Sequence, residues 1–197
     1  SANAAVAVIL SLLGILAYIW VRFGSLRYSI AAIVALLHDV TIALGILAFT
    51  GIIGGTGLAA LLLVEPFRID LGVVAALLTI IGYSLNDTIV ILDRIRENRG
   101  KRPLPTAAIV NRSINQTVSR TILTSVTTLI AVLIMYIAGG TGIRPFTFCL
   151  LVGLLVGTYS SVAIAAPLVL SGTGGNEPQG DEEEEYAAAS AAEPATV

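Results

Sequence analysis

The amino-acid sequence predicts an all-α membrane protein, a five-helix transmembrane bundle, and three observations point there. The 197 residues are 56% hydrophobic and only 12% charged, with a mean hydropathy of +0.91, whereas a soluble domain carries about a quarter charged residues. Five apolar stretches approach or exceed the roughly 20 residues that cross a hydrocarbon core. None of the chain alternates with period two, as the strands of a membrane barrel do.

The first span is expected over about 2–21, the second over 29–53, the third over 71–92, the fourth over 122–138 and the fifth over 146–170. Each is rich in Leu, Ile, Val and Ala, and a helix is the form in which one segment satisfies all its own backbone groups in lipid. Arg22 and Arg27 separate the first two spans, and Arg94, Arg96, Arg99, Lys101, Arg102, Arg112 and Arg120 lie between the third and fourth. Only Arg68 and Arg144 fall on the other side. Cationic loops stay in the cytoplasm, so the first span is expected to run inward and the C-terminus to be cytoplasmic.

The connections carry their own signals. Pro103 and Pro105 interrupt the chain, after which Ala107, Val110, Ile114 and Val118 recur at helical spacing opposite Arg112, Asn115, Gln116 and Ser119. This predicts an amphipathic helix over about 106–120, lying on the inner membrane face. The 54–70 loop contains an apolar patch, 58–64, too short to cross, and reads as interfacial or re-entrant. Residues 171–197, with Gly, Pro, an acidic run and Ala repeats, have the composition of a disordered tail. The chain opens Ser-Ala-Asn and enters apolar sequence directly, which reads as the C-terminal part of a longer protein.

Charge and cysteine content exclude several classes. The net charge is −2, but seven of the thirteen acids (Glu177, Asp181, Glu182, Glu183, Glu184, Glu185 and Glu193) lie in the tail. The remaining body is cationic, and its basic residues read as orientation signals rather than a nucleic-acid surface. Cys149 is the single cysteine, so no intrachain disulfide or cysteine-built metal site is expected. There is no phosphate-cradling Gly loop, His pair or nucleophile elbow. A nucleotide fuel, a metal and a bound cofactor are therefore not expected, and an ion gradient is the natural energy source for a membrane protein with buried carboxyls.

Those carboxyls are the informative residues. Asp39 sits near the middle of the second span, where an ionised group is costly and is expected to face the bundle interior or a wet cavity. Ala32, Ala35 and Ala43 share its face and allow close helix approach. Its role is either coupling or structural pairing with another helix. His38 is the only histidine, but adjacent helical residues point about 100° apart, which argues against a His38–Asp39 relay. The third span carries Gly82-Tyr83-Ser84-Leu85-Asn86-Asp87-Thr88, with Asp87 at its centre. Tyr83 and Ser84, four and three residues earlier, are placed to donate to the Asp87 carboxyl, with Asn86 and Thr88 beside it. In the fourth span Thr117, Thr121, Thr124 and Thr128 form one stripe, which either lines a polar path or bonds back to helix carbonyls. Gly153, Gly157, Ser161 and Ala165 make a packing seam in the fifth. Asp93, Arg94, Arg96 and Glu97 read as interface charges.

The run Gly82 to Asn98, GYSLNDTIVILDRIREN, resembles the SecF family. Arg22-Phe23, Leu37-His38-Asp39-Val40, Arg120-Thr121-Ile122-Leu123-Thr124-Ser125 and Gly139-Gly140 follow its order, so the resemblance covers roughly Ala5 to Leu170. It implies an accessory complex with SecD that uses the proton-motive force to help preproteins leave the Sec translocon of the cytoplasmic membrane. It also implies a fold similar to half of a resistance-nodulation-division transporter, with the carboxyl matching Asp87 as the proton-coupling group. Two departures stand out: the family's additional first span and periplasmic domain do not precede this sequence, and the 54–70 loop is longer than usual. Two other functions share these features, a proton-driven exporter of small hydrophobic molecules or lipids and a non-transporting scaffold.

Overall fold

In the computed structural model, which describes residues 2–102 and 104–170, the apolar stretches become helices and there is no strand among the described residues. Helix α1 is Ala2–Phe23, α2 Leu26–Ile53, α3 Gly57–Leu61, α4 Leu71–Arg99, α5 Ala107–Ala138 and α6 Arg144–Ser160. A π-helical turn, Ser161–Ala165, joins α6 to α7, Ala166–Leu170. By length and composition α2, α4, α5 and the Thr141–Leu170 segment can each cross a membrane, and α1 adds a 22-residue helix.

Helix starts follow local chemistry. Asp70 caps α4, its carboxylate accepting from Val73 N at 2.8 Å, and Thr106 caps α5 through Ile109 N at 3.4 Å. Both satisfy a backbone donor that a helix start leaves open. The amphipathic segment expected over 106–120 is not a separate helix. It forms the first turns of the 32-residue α5, because 107–138 contains no Gly or Pro to break the hydrogen-bond ladder. Pro103 and the 171–197 tail lie outside the described residues.

Helix α4 is central, packing against α2, α5 and α6. Two apolar clusters surround it. Towards the end that carries Arg22 and Arg96, Ile19, Phe23, Tyr28, Ile91, Leu92, Ile95 and Val169 pack together. Towards the other end, Leu47, Val73, Leu77, Ile80, Val132, Leu150 and Leu154 do so. The α4–α6 crossing is close because Gly153 and Gly157 face Ile80 and Ser84. Outside this core much of α5 is apolar and exposed, including Leu123, Ile130, Ile134 and Ile137.

The 54–70 loop folds back over the bundle end. Phe67 N donates to Thr50 Oγ1 at 3.2 Å, and the Tyr136 hydroxyl reaches the Leu62 and Leu63 carbonyls at 2.8 and 3.1 Å. Leu63 has φ 55°, a conformation rare outside glycine and held only where surroundings enforce it. Here the tyrosine anchor and a Val64 N to Ala59 O hydrogen bond enforce it. Arg144 pairs with Glu65 at 3.3 Å on the same end.

Candidate functional site

A polar layer interrupts the bundle between the two apolar clusters. Asp39 on α2 lies between Leu36 and Ala43; Ser84, Asp87 and Thr88 on α4 lie between Ile80 and Ile91; Thr158, Ser160 and Ser161 follow Leu154. Asp39 is 0% exposed and Asp87 3%. A carboxyl taken out of water must recover hydrogen bonds from the protein, and hydroxyls from three helices supply them.

Asp39 is the better satisfied of the two. Ser84 Oγ of α4 donates to its Oδ2 in a short hydrogen bond, and Ser160 Oγ of α6 donates to the same oxygen at 2.8 Å. Its other oxygen, Oδ1, lies 3.1 Å from Nδ1 of His38. This corrects two expectations. Ser84, placed by helix spacing beside Asp87, turns to Asp39 instead, because α2 packs on that side of α4. His38 and Asp39 do meet: their Cβ directions diverge, but a half-buried imidazole and a short carboxyl bend towards each other across the helix surface.

Asp87 lies one turn farther along α4, about 4.5 Å at 1.5 Å per residue, and looks towards α5. Ser125 Oγ approaches its Oδ2 at 3.4 Å, a long and weak hydrogen bond. Thr158 Oγ1 reaches Ser125 Oγ at 2.8 Å and the Leu154 carbonyl at 2.7 Å. A threonine has one hydroxyl proton to divide between those acceptors. Asp87 is thus buried with fewer donors than Asp39.

The remaining predicted residues separate. The Tyr83 hydroxyl is buried without a partner and does not reach Asp87, because the ring leans into the apolar cluster of Leu154 and Ile80. Asn86 is exposed, with its amide beside the Asp87 carboxyl. Thr88 is buried and bonds Ser161 at 3.2 Å. Since Ser161 Oγ donates to the Gly157 carbonyl at 2.7 Å, Thr88 is the donor of that pair. Thr121 is buried, whereas Thr124 is exposed and bonds back to the Arg120 and Thr121 carbonyls. Thr117 and Thr128 bond back in the same way.

Asp93, Arg94 and Arg96 gather at the basic end. Asp93 pairs with Arg22 at 2.8 Å, tying α1 to α4. Arg94 bonds Glu97 and Gln116 at 2.6 and 2.7 Å, tying α4 to α5. Arg96 donates to the Arg22 carbonyl at 3.0 Å. Among the described residues no group of three or more His, Cys, Asp and Glu side chains could hold a metal ion.

Sequence reasoning missed Ser125, Thr158 and Ser160 as partners of the carboxyls. Their signal was present as hydroxyls in otherwise apolar spans. Ser160, the last residue of α6, and Ser161, the first of the π turn, are both fully buried, one against α2 and one against α4, and π turns recur at functional sites.

A helical bundle of several apolar spans with two carboxyls sealed in its middle, each held by hydroxyls from neighbouring helices, defines a multi-pass membrane protein. Residues 1–173 match the family described as "Protein export membrane protein SecD/SecF, C-terminal", and the chain belongs to that family. It is 46% identical over 165 residues to protein translocase subunit SecF of Petrotoga mobilis, covering 83% of this chain and 49% of that one. It is equally 46% identical over 165 residues to protein translocase subunit SecDF of Brucella abortus, covering 83% of this chain and 20% of that one. The crystal structure of SecDF from Thermus thermophilus, a translocon-associated membrane protein, superposes with a TM-score of 0.71 at 44% identity, covering 86% of this chain and 21% of that one. The super-membrane-facing form of SecDF superposes with a TM-score of 0.70 at 40% identity, covering 97% of this chain and 23% of that one. The chain therefore spans about half the length of the SecF relatives it matches.

Proposed function

We propose that this chain is the membrane motor part of a proton-motive-force-coupled accessory subunit of the Sec preprotein translocase, working with SecD to aid export across the cytoplasmic membrane. The observation that carries the reading is the pair of sealed carboxyls, Asp39 on α2 and Asp87 on α4, the first held by Ser84 one turn from Asp87 and the two bound to hydroxyls of different helices. Protonation changes what each oxygen can accept or donate, so it changes which helices the carboxyl ties together. The family and the names of its relatives favour protein translocation over export of small hydrophobic molecules. SecDF relatives that match both in sequence and in fold support SecD as a partner, with translocon subunits, the emerging preprotein and membrane lipid as the remaining ones. The basic end, with Arg22, Arg94 and Arg96, is the cytoplasmic one, which puts the C-terminus in the cytoplasm. The role is mechanical rather than enzymatic, and the proton gradient takes the place of a cofactor.

Energy bounds the mechanism. One proton crossing 100 mV releases about 2.3 kcal/mol, enough to bias a two-state element by about fiftyfold. Sustained pulling on a polypeptide thus requires repeated proton-coupled cycles. The test is gradient-driven secretion of a preprotein into vesicles that carry the full-length parent, comparing wild type with Asp87→Asn at matched abundance of the complex. Loss of gradient dependence with the complex intact supports the coupling role. Unchanged secretion removes Asp87 from the mechanism.

A further inference from the structure

We propose that His38 is the proton gate of Asp39, the group through which that sealed carboxyl exchanges its proton with the surroundings of the bundle. The inference rests on the proton-coupled reading above and adds a residue to it. Asp39 is itself inaccessible, with a side chain 1% exposed, whereas the His38 side chain beside it is 32% exposed in this chain. Oδ2 of Asp39 faces inward and is occupied by Ser84 and Ser160. Oδ1 faces His38, and among the described residues the imidazole is the only group bonded to it. One oxygen is therefore turned to the hydroxyls of the interior and the other to a ring that reaches the bundle surface.

Imidazole suits that position because it carries a donor or acceptor on each side and exchanges protons near neutrality. The resting ring donates Nδ1–H to the Asp39 carboxylate and leaves a lone pair on Nε2. A proton taken up at Nε2 makes the imidazolium, and Nδ1 then passes its proton to Oδ1. Asp39 becomes neutral and the ring is left neutral with its proton on Nε2. Asp39 later gives up its proton on the Oδ2 side, where the Ser84 and Ser160 hydroxyls take it over by handing their own proton to water of the interior, and Nδ1 then faces a carboxylate with a bare lone pair. The ring resets by taking a second proton from outside water at Nδ1 and returning the Nε2 proton to that water, so two protons enter from outside, one goes back and one leaves inward. Each cycle moves one proton inward past α2 and restores the starting state.

Neighbouring helices offer no competing route to Oδ1. The other titratable groups on the elements packed against α2 in this region are Tyr18, Tyr83, Asp87, Cys149 and Tyr159, and none is hydrogen-bonded to the pair among the described residues. Arg22, at the basic end of α1, is engaged by Asp93.

The experiment compares His38→Asn and His38→Ala with wild type in the full-length parent, measuring gradient-driven preprotein secretion into vesicles at matched complex abundance, with and without added imidazole. Asparagine can keep an N–H directed at Oδ1 but cannot relay a proton. A relay therefore predicts that His38→Asn loses gradient stimulation by roughly tenfold or more, the low side of what a positioned acid–base group contributes. It also predicts that millimolar imidazole restores a substantial part of the stimulation in His38→Ala. Full activity in His38→Asn, or loss in His38→Ala that imidazole does not relieve, assigns the residue a structural hydrogen bond and overturns the gate. Asp87→Asn run alongside separates the two proposals. If it too leaves gradient stimulation intact, the proton-coupled reading fails; if it abolishes stimulation while His38→Asn does not, only the gate fails.

Discussion

The close approach of α4 and α6 at Gly153 predicts a large effect from one methyl group. A Cβ added at Gly153 of α6 would stand 2.3 Å from both Cδ1 and Cγ1 of Ile80 on α4, and 2.8 Å from its Cγ2. Carbon atoms rest about 3.5–4.0 Å apart, so the overlap exceeds about 1 Å at two atoms. Ile80 is 1% exposed and β-branched, with little rotamer freedom, so the strain passes to the helices themselves. Overpacking of this kind costs about 1–3 kcal/mol, against at most about 1 kcal/mol returned by alanine's better helix propensity. Gly153→Ala should therefore destabilise the bundle by about 1–2 kcal/mol. Gly45→Ala is the control: nothing lies within 4 Å of its added methyl, so the variant should be neutral or slightly stabilised. The assay is reversible unfolding of the full-length parent in mixed micelles, followed by helix content. Ile80→Ala should relieve the clash, so the double variant should be more stable than the sum of the two single losses by about 0.5–3 kcal/mol, as expected for residues in contact. A neutral Gly153→Ala, or strictly additive losses, would refute the close α4–α6 approach and with it the placement of Ser84 beside Asp39.

Three further predictions follow from named contacts. Ser160→Ala removes a donor from the sealed Asp39 carboxyl, whereas Ser161→Ala removes the acceptor of Thr88 and a bond back to the Gly157 carbonyl, neither of them on a carboxyl; gradient-driven secretion at matched abundance should fall several-fold more for Ser160→Ala. Asp93→Asn breaks a pair with Arg22 whose side chains are 41% and 43% exposed, so it should cost no more than about 1 kcal/mol of unfolding free energy. Restoring wild-type stability through the reciprocal exchange Arg22→Asp with Asp93→Arg would confirm that the pair acts by direct contact. Tyr136→Phe deletes the hydroxyl that holds the Leu62 and Leu63 carbonyls, a loss of about 0.5–1.5 kcal/mol. Amide exchange should speed up in the 54–70 segment while α4 and α6 keep their protection.

The helices and the buried acids were legible in the sequence because lipid constrains both directly. A spanning segment must be apolar, helical and about 20 residues long, and a carboxyl within it must turn inward. Asp39 and Asp87 obey that rule whatever their neighbours are. Their partners were not legible, because spacing shows which residues share a face of one helix but not how that face is rotated against the next. Ser84 illustrates the gap. It is one turn from Asp87 on α4, yet α2 stands on its side of the helix and its hydroxyl goes to Asp39. The α5 segment shows a different limit: charge periodicity marked its first turns as amphipathic, but whether two helical segments join depends on a breaker between them, and 107–138 contains none.

His38 and Ser160 expose the deeper reason. Arguments from an ideal 3.6-residue helix place neighbouring side chains about 100° apart, so they argue against His38 serving Asp39, and they give no sign that Ser160 of α6 points at the same carboxyl. Both contacts form. At His38 the side chains themselves close the gap, because an imidazole is long enough to reach back to an adjacent carboxyl. At Ser160 the hydroxyl comes from the last residue of α6, just before the π turn that opens with Ser161. The two contacts meet at Asp39, one on each of its oxygens. A bundle held by apolar packing alone would have no use for either, so their convergence on a single sealed carboxyl marks that residue as the place where helix packing was adapted to a polar group.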